Sequence, residues 1–215
     1  MNFLYYIASR WQQLLVDSYQ HASMVVQCIV LATIVGVLVG VAVYRSPAGA
    51  AIATALSSTI LTIPSFALFG LLIPVLGLGV APSVVTLTLY ALLPIVRNTI
   101  VGLSTVDKPI VDAARGIGMG RLNVLTRIEL ALAWPAILAG MRVSTQMLMG
   151  IAAIAAYAKG PGLGNLIFSG LSGLGGANAV NMALAGTLGV IVLALLLDAV
   201  FVLVERLTTL KGTRG

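Results

Sequence analysis

Few residues in this chain are equipped for chemistry, and most of those lie in two places. Arg142 and Asp198 stand inside long apolar runs, at 135–158 and 180–204. Charges so placed are costly, and they pair with one another, face a cavity, or snorkel independently to a polar boundary. The second place is 110–130, IVDAARGIGMGRLNVLTRIEL, where Asp112, Arg115, Arg121, Arg127 and Glu129 interrupt apolar sequence on both sides. Neither place holds a nucleophile beside a base. There is no GxSxG or HExxH run, and His21 is the only histidine, which argues against a histidine-built metal or proton-relay centre. The single Cys28 lies in an apolar run, so no intrachain disulfide and no cysteine metal site is expected. A GxxxxGK(S/T) loop for ATP is missing too. Gly160, Gly162 and Gly164 imitate a phosphate loop, but their spacing is GxGxG and no strand precedes them. The expected chemistry is ionic and mechanical, with no catalytic residue, no metal and no cofactor of the chain's own.

The elements that position these residues follow from composition. The chain is 60% hydrophobic and 8% charged, with a mean hydropathy of +1.09. Soluble domains carry roughly 25% charged residues, so lipid is expected to cover much of the exterior. The net charge of +6 does not indicate nucleic acid, because Lys and Arg sit at the ends of apolar runs and not in an aromatic-laced stripe.

A membrane-crossing helix needs roughly 20 apolar residues. Five runs qualify, at about 22–44, 50–76, 80–96, 135–158 and 180–204. The run at 50–76 is read as one long span carrying Pro64 and Pro74, since proline is tolerated within spans. Residues 1–21 lack the basic start of a signal peptide. Leu4, Ile7, Trp11, Leu14 and Leu15 recur there at helical spacing, which points to a helix lying in the interface; a frayed tail is the alternative. The organisation is therefore an interfacial helix over 1–21, a five-span domain over 22–204 and a tail over 205–215. Alternating the sides gathers Arg45, Arg97, Lys108, Arg115, Arg121, Arg127, Arg206, Lys211 and Arg214 on one face. Only Arg10 and Lys159 fall on the other. By the positive-inside bias the N-terminus is outside, and 97–134 and the C-terminus are cytoplasmic.

On the second span Thr54, Ser57, Ser58, Thr62 and Ser65 recur at spacings of three and four. One reading is a face, with Thr54, Ser58, Thr62 and Ser65, lining a hydrated pathway. The other is hydroxyls that permit close packing and bond back to their own backbone. Gly36 and Gly40 make a small-xxx-small pair suited to helix packing. Arg142 and Asp198 lie at matching depths, roughly 9–10 Å from the cytoplasmic boundary at about 1.5 Å per residue, and are expected to pair. The glycine-rich 158–178 segment is expected to fold back as an outer gate packed by Leu163, Leu166, Ile167 and Phe168.

The polar stretch divides at its glycines. Asp107 is expected to cap a short helix over 108–115, with Pro109 in its first turn, ended by Gly116, Gly118 and Gly120. A second helix over 121–132 is expected along the interface, turned into the fourth span by Pro135. Ala113 and Ala114 would give the short helix a flat surface. The whole connection is roughly 35 residues, far above the few usual between bundle helices, and long ordered loops are commonly functional.

DAARGIGMGRLNVLTRIEL resembles the EAA loop of ABC importer permeases, patterned E-A-A, three residues, G, nine residues, I-x-L-P. Asp112, Ala113, Ala114, Gly118, Ile128 and Leu130 hold matching positions; Asp112 replaces the glutamate and Ala131 stands for the proline. TIPSFALFGLLIPVLGLG at 62–79, ALLPIVRNTIVGL at 91–103 and GPGLGNLIFSGL at 160–171 are similar to segments of the permeases for glycine betaine, carnitine and choline. The resemblance implies an all-α membrane protein of the type I importer fold. It would have five transmembrane helices, the interfacial helix and a short cytoplasmic coupling helix, in a bacterial cytoplasmic membrane. It implies that Asp112, Ala113, Ala114, Arg115, Gly116 and Gly118 dock a cytoplasmic ABC ATPase, which binds the ATP. A second permease, identical or paralogous, would complete the pathway, and an external solute-binding protein would deliver the solute. Quaternary ammonium solutes would be caged by aromatics of that binding protein, in keeping with 6% aromatics here. The alternatives are an ABC permease for another small solute such as methionine, and a repeat unit of a secondary transporter or channel. The last predicts midplane acidic relays or broken helices.

Overall fold

The computed structural model describes residues 2–209, and among them there are helices and no strand. Phe3 to Val43 form α1, a single 41-residue element. The expected division into a helix over 1–21 and a span from 22 is not there. Residues 3–35 contain neither Gly nor Pro, so no breaker stands at 21–22; the kink in α1 lies earlier, at Arg10 (φ −121°, ψ 15°), where two helical stretches join.

The expected second span is two helices, α2 (Pro47–Thr62) and α3 (Ser65–Leu76), bent by 93°. Pro64 has no N–H and excludes helical geometry at Ile63, where ψ is 126°. The Ile63 carbonyl freed by the break accepts from the Tyr90 hydroxyl. Pro74 lies within α3 without ending it. Next come α4 (Val80–Ser104), α5 (Lys108–Gly116) and α6 (Arg121–Val124). A π turn, Leu125–Glu129, leads into α7 (Leu130–Ile154), which tightens into a 3-10 turn, Ala155–Ala158. Pro135 does not turn this helix, contrary to expectation: it sits inside α7. Helix α8 (Gly164–Ser172) folds back on α9 (Ala179–Thr208), with Leu163 and Leu166 buried and Ile167 and Phe168 half-buried. Residues 210–215, most of the expected tail, lie outside the described residues, and 205–208 belong to α9.

Among the described residues four stretches are long and apolar enough to cross a membrane: Phe3–Val43, Val80–Ser104, Arg121–Ala158 and Ala179–Thr208. The bent pair α2–α3 makes a fifth if it counts as one. Helix α4 is packed between α1 and α7, around Val25, Cys28, Phe69, Leu87, Ile95 and Leu148. Glycines set how close these helices come. Gly36 and Gly40 of α1 face Ile95 and Thr99 of α4, and Gly140 of α7 faces Pro94 and Asn98. A methyl at Gly140 would sit 2.8 Å from the Pro94 carbonyl oxygen. Overpacking of this kind costs about 1–3 kcal/mol. Gly140→Ala is thus expected to melt several degrees lower in detergent, while Gly150→Ala, with nothing within 4 Å, does not.

Candidate functional site

The polar connection folds as a small unit of its own. Asp107 begins α5 through its backbone: its carbonyl accepts from the amides of Ile110 and Val111. Its side chain makes no capping bond, contrary to expectation, because Pro109 removes one of the amides a capping carboxylate takes. At the other end Gly118 is left-handed (φ 85°). Its N–H donates to the Arg115 carbonyl at 2.9 Å, and that of Met119 to Ala114 at 3.1 Å. This is a Schellman stop, which a residue with a Cβ adopts only under strain.

The faces of α5 then separate. Val111 and Ala114 are buried on Val124, with Val106, Met119 and Ile128 around them. Ala114 therefore faces inward and cannot belong to an outer docking surface; it seats the helix. The outward face carries Ile110, Ala113 and Ile117, spaced i, i+3 and i+7. Ile110 is 43% exposed and Ile117 82%. Asp112, Arg115, Gly116 and Gly118 are exposed as expected.

Behind α5 lies a feature that the sequence did not announce. Glu129, at the end of the π turn, is 5% exposed. It accepts from the Tyr44 hydroxyl at 2.9 Å and from Arg45 Nη2 at 3.1 and 3.3 Å. The extra residue of a π turn rotates the helix beyond it, and here the carboxylate reaches the corner between α1 and α2. A cavity of about 340 Å³ opens between this cluster and Lys108, Asp112 and Arg115 of α5. The available signal was a lone carboxylate between Ile128 and Leu130 at the start of an apolar run, which must find a partner.

Arg142 and Asp198 meet across α7 and α9. Arg142 donates from Nε to Oδ1 and from Nη2 to Oδ2, both at 2.6 Å. Gln146, one turn along α7, donates to Oδ1 at 3.3 Å and to the Ala194 carbonyl at 3.1 Å. A charge stranded in a span costs about 2.5–3.5 kcal/mol on insertion scales. Asp198→Arg alone is therefore expected to deplete folded protein in the membrane, and Arg142→Asp with Asp198→Arg to restore most of it, as read by fluorescence-detected gel filtration. Equal yields of the single and double variants would mean that the two charges act independently.

The hydroxyl residues do not form one continuous stripe. The break at Ile63–Pro64 puts Ser65 on α3, away from Thr54, Ser58 and Thr62 on α2. Ser57, Ser58, Thr59 and Thr62 donate to the carbonyls of Ala53, Thr54, Ala55 and Thr59. Their protons are engaged with their own helix, and their oxygens keep acceptor capacity. Among the described residues no three of His, Cys, Asp and Glu converge as metal ligands.

Long apolar helices dominate the described residues, and one short two-faced helix, α5, stands between α4 and α6. Residues 32–209 match the family described as binding-protein-dependent transport system inner membrane component, and the chain belongs to that family. It is a transport permease, the membrane-spanning subunit of a binding-protein-dependent ABC importer.

Its curated relatives narrow the comparison. The glycine betaine/carnitine/choline transport system permease protein OpuCB of Bacillus subtilis (strain 168) is 36% identical over 203 residues, 94% of this chain and 92% of the relative. The osmoprotectant import permease protein OsmW of Salmonella typhimurium is 37% identical over 219 residues, 100% of each. The choline transport system permease protein OpuBB of Bacillus subtilis is 34% identical over 98% of this chain and 95% of the relative. A chain of the MetNI methionine ABC transporter, solved in inward-facing conformations, superposes with a TM-score of 0.75 at 23% identity, covering 92% of this chain and 96% of its own. The two share a fold.

Proposed function

We propose that this chain forms, with a second permease, the pathway of an ATP-driven importer for quaternary ammonium osmoprotectants such as glycine betaine, carnitine or choline. The observation that carries it is α5. It is a short helix anchored through Val111 and Ala114 while Ile110, Ala113 and Ile117 stand uncovered, the shape of a ball seated in a partner's cleft. A cytoplasmic ABC ATPase supplies that cleft and binds the ATP. Its closure moves α5, and the Glu129 cluster passes the motion to the corner of α1 and α2.

In this reading α2 and α3 count as one broken span. The N-terminus and Lys159 are outside, α5 and the C-terminus are cytoplasmic, and an external binding protein delivers solute to the outer end. Thr54, Ser58, Thr62 and Ser65 line the pathway with hydroxyl oxygens, and the Arg142–Asp198 pair holds α7 to α9 within the bilayer. Support for the solute class comes from relatives at 34–37% identity over nearly the full chain.

The test is uptake of labelled glycine betaine, carnitine and choline by cells with the transporter and by cells lacking only this chain, with methionine as the comparison solute. Accumulation of one of the three that depends on the chain is the expected result. Chain-dependent uptake of methionine alone would overturn the solute assignment.

A further inference from the structure

Away from the docking helix, three aromatic rings from three elements converge. Phe66 of α3 packs edge-to-face on Tyr157 of the 3-10 turn, with centroids 5.3 Å apart at 75°. It packs likewise on Phe168 of α8, at 6.2 Å and 60°. Phe66 is 47% and Tyr157 54% exposed, so both rings remain open to a group from outside the chain. The chain is poor in aromatics, at 6%, so three on one spot are a local concentration.

Phe168 also lines an open cavity of about 550 Å³, together with Lys159, Asn165, Ser169 and Ser172. Lys159 follows Tyr157 by two residues and is the one described non-glycine residue in the left-handed region, φ 57°. Strained backbone of this kind persists where the surroundings hold a side chain in a required place. Here a bond from Lys159 N to Ala156 O at 3.0 Å helps to hold it, and Asn165 fixes the following loop by donating to the carbonyls of Gly160 and Gly162.

A quaternary ammonium group has no N–H to donate, so an aromatic face is the neutral surface best able to attract it. A carboxylate on the same solute calls for a cation at the edge of that surface. We infer that Phe66, Tyr157 and Phe168, with Lys159, form a solute site on the permease itself. The rings receive the quaternary ammonium head, and Lys159 receives the carboxylate of a zwitterionic betaine released into the cavity. This rests on the reading of the chain as a quaternary ammonium importer and adds the residues that meet the solute after its binding protein lets go.

The complete importer, with ATPase and binding protein, is reconstituted in phosphatidylethanolamine/phosphatidylglycerol vesicles free of choline headgroups. Uptake is measured at saturating glycine betaine-loaded binding protein, with basal ATP hydrolysis beside it. Tyr157→Leu is expected to slow uptake roughly two- to fivefold, the rate equivalent of one exposed cation–π contact, and Tyr157→Phe to stay near the wild-type rate. Lys159→Gln falls similarly and Lys159→Arg recovers, with basal hydrolysis unchanged throughout. Should Phe66→Leu fail to accumulate, the exposed Tyr157 carries the test.

Wild-type uptake by Tyr157→Leu, or a Tyr157→Phe as poor as the leucine variant, overturns the site. So does a defect that appears only when phosphatidylcholine is added, which would assign the rings to a lipid headgroup. A wild-type importer that moves no quaternary ammonium solute defeats the functional reading itself, before any variant is compared.

Discussion

Ile117→Asp is expected to strip the permease of its ATPase while leaving the membrane bundle intact. Ile117 is 82% exposed at the end of α5, so no internal contact is lost on substitution. Fully burying an isoleucine stabilises by about 1.5–3 kcal/mol, and an aspartate in the same cleft adds the cost of desolvating a charge. ATPase retention on purification is therefore expected to fall roughly 10- to 100-fold, with the melting temperature of the permease unchanged. Ala114→Trp gives the complementary result. Ala114 is sealed against Val124 and Ile128, so a bulky side chain unseats α5; the ATPase is lost and the melting temperature falls as well. Gly118→Ala strains the stop at φ 85°, where Cβ costs about 1–2 kcal/mol, and belongs with Ala114. An Ile117→Asp variant that still holds its ATPase would rule out the outward face of α5 as the docking surface.

That division between Ile117 and Ala114 marks where sequence reading stops. The extent of α5 was legible because Pro109 and the glycines at 116, 118 and 120 punctuate the chain locally. Which alanine faces out was not, since Ala113 and Ala114 are alike and only the position of Val124 distinguishes them. Gly36 and Gly40 were legible for the same local reason: small-xxx-small describes a helix face without naming its partner. The break at Ile63–Pro64 was not legible, because proline is tolerated in many spans. The break is accommodated here by Tyr90, 27 residues away. Arg142 and Asp198 were matched by depth alone, since two costly charges at one level have few other solutions. The aromatic trio draws one ring from each of three elements, and no periodicity connects them.

Glu129 is the residue whose loss is expected to separate ATP hydrolysis from uptake. Its carboxylate, 84 and 85 residues along the chain from Arg45 and Tyr44, ties the exit of the α5–α6 unit to the α1–α2 corner. Arg45 is half exposed, with 51% of its side chain accessible, against 7% for Glu129. The Coulomb share of the pair is accordingly small, and the Tyr44 hydroxyl, donating to a nearly buried carboxylate, is the stronger tie at about 1.5–3 kcal/mol. Glu129→Leu removes both links while leaving the outward face of α5 untouched. The ATPase should stay bound and hydrolyse ATP, and uptake should fall roughly tenfold or more, the rate equivalent of one such tie. Glu129→Gln keeps an acceptor for Tyr44 and is expected to lie between Leu and wild type, with Tyr44→Phe reproducing most of the leucine defect. The ordering is the discriminating result. A leucine variant in which hydrolysis and uptake fall together would mean that Glu129 only keeps the unit folded, and motion of α5 would then have to reach the pathway through the start of α7 instead.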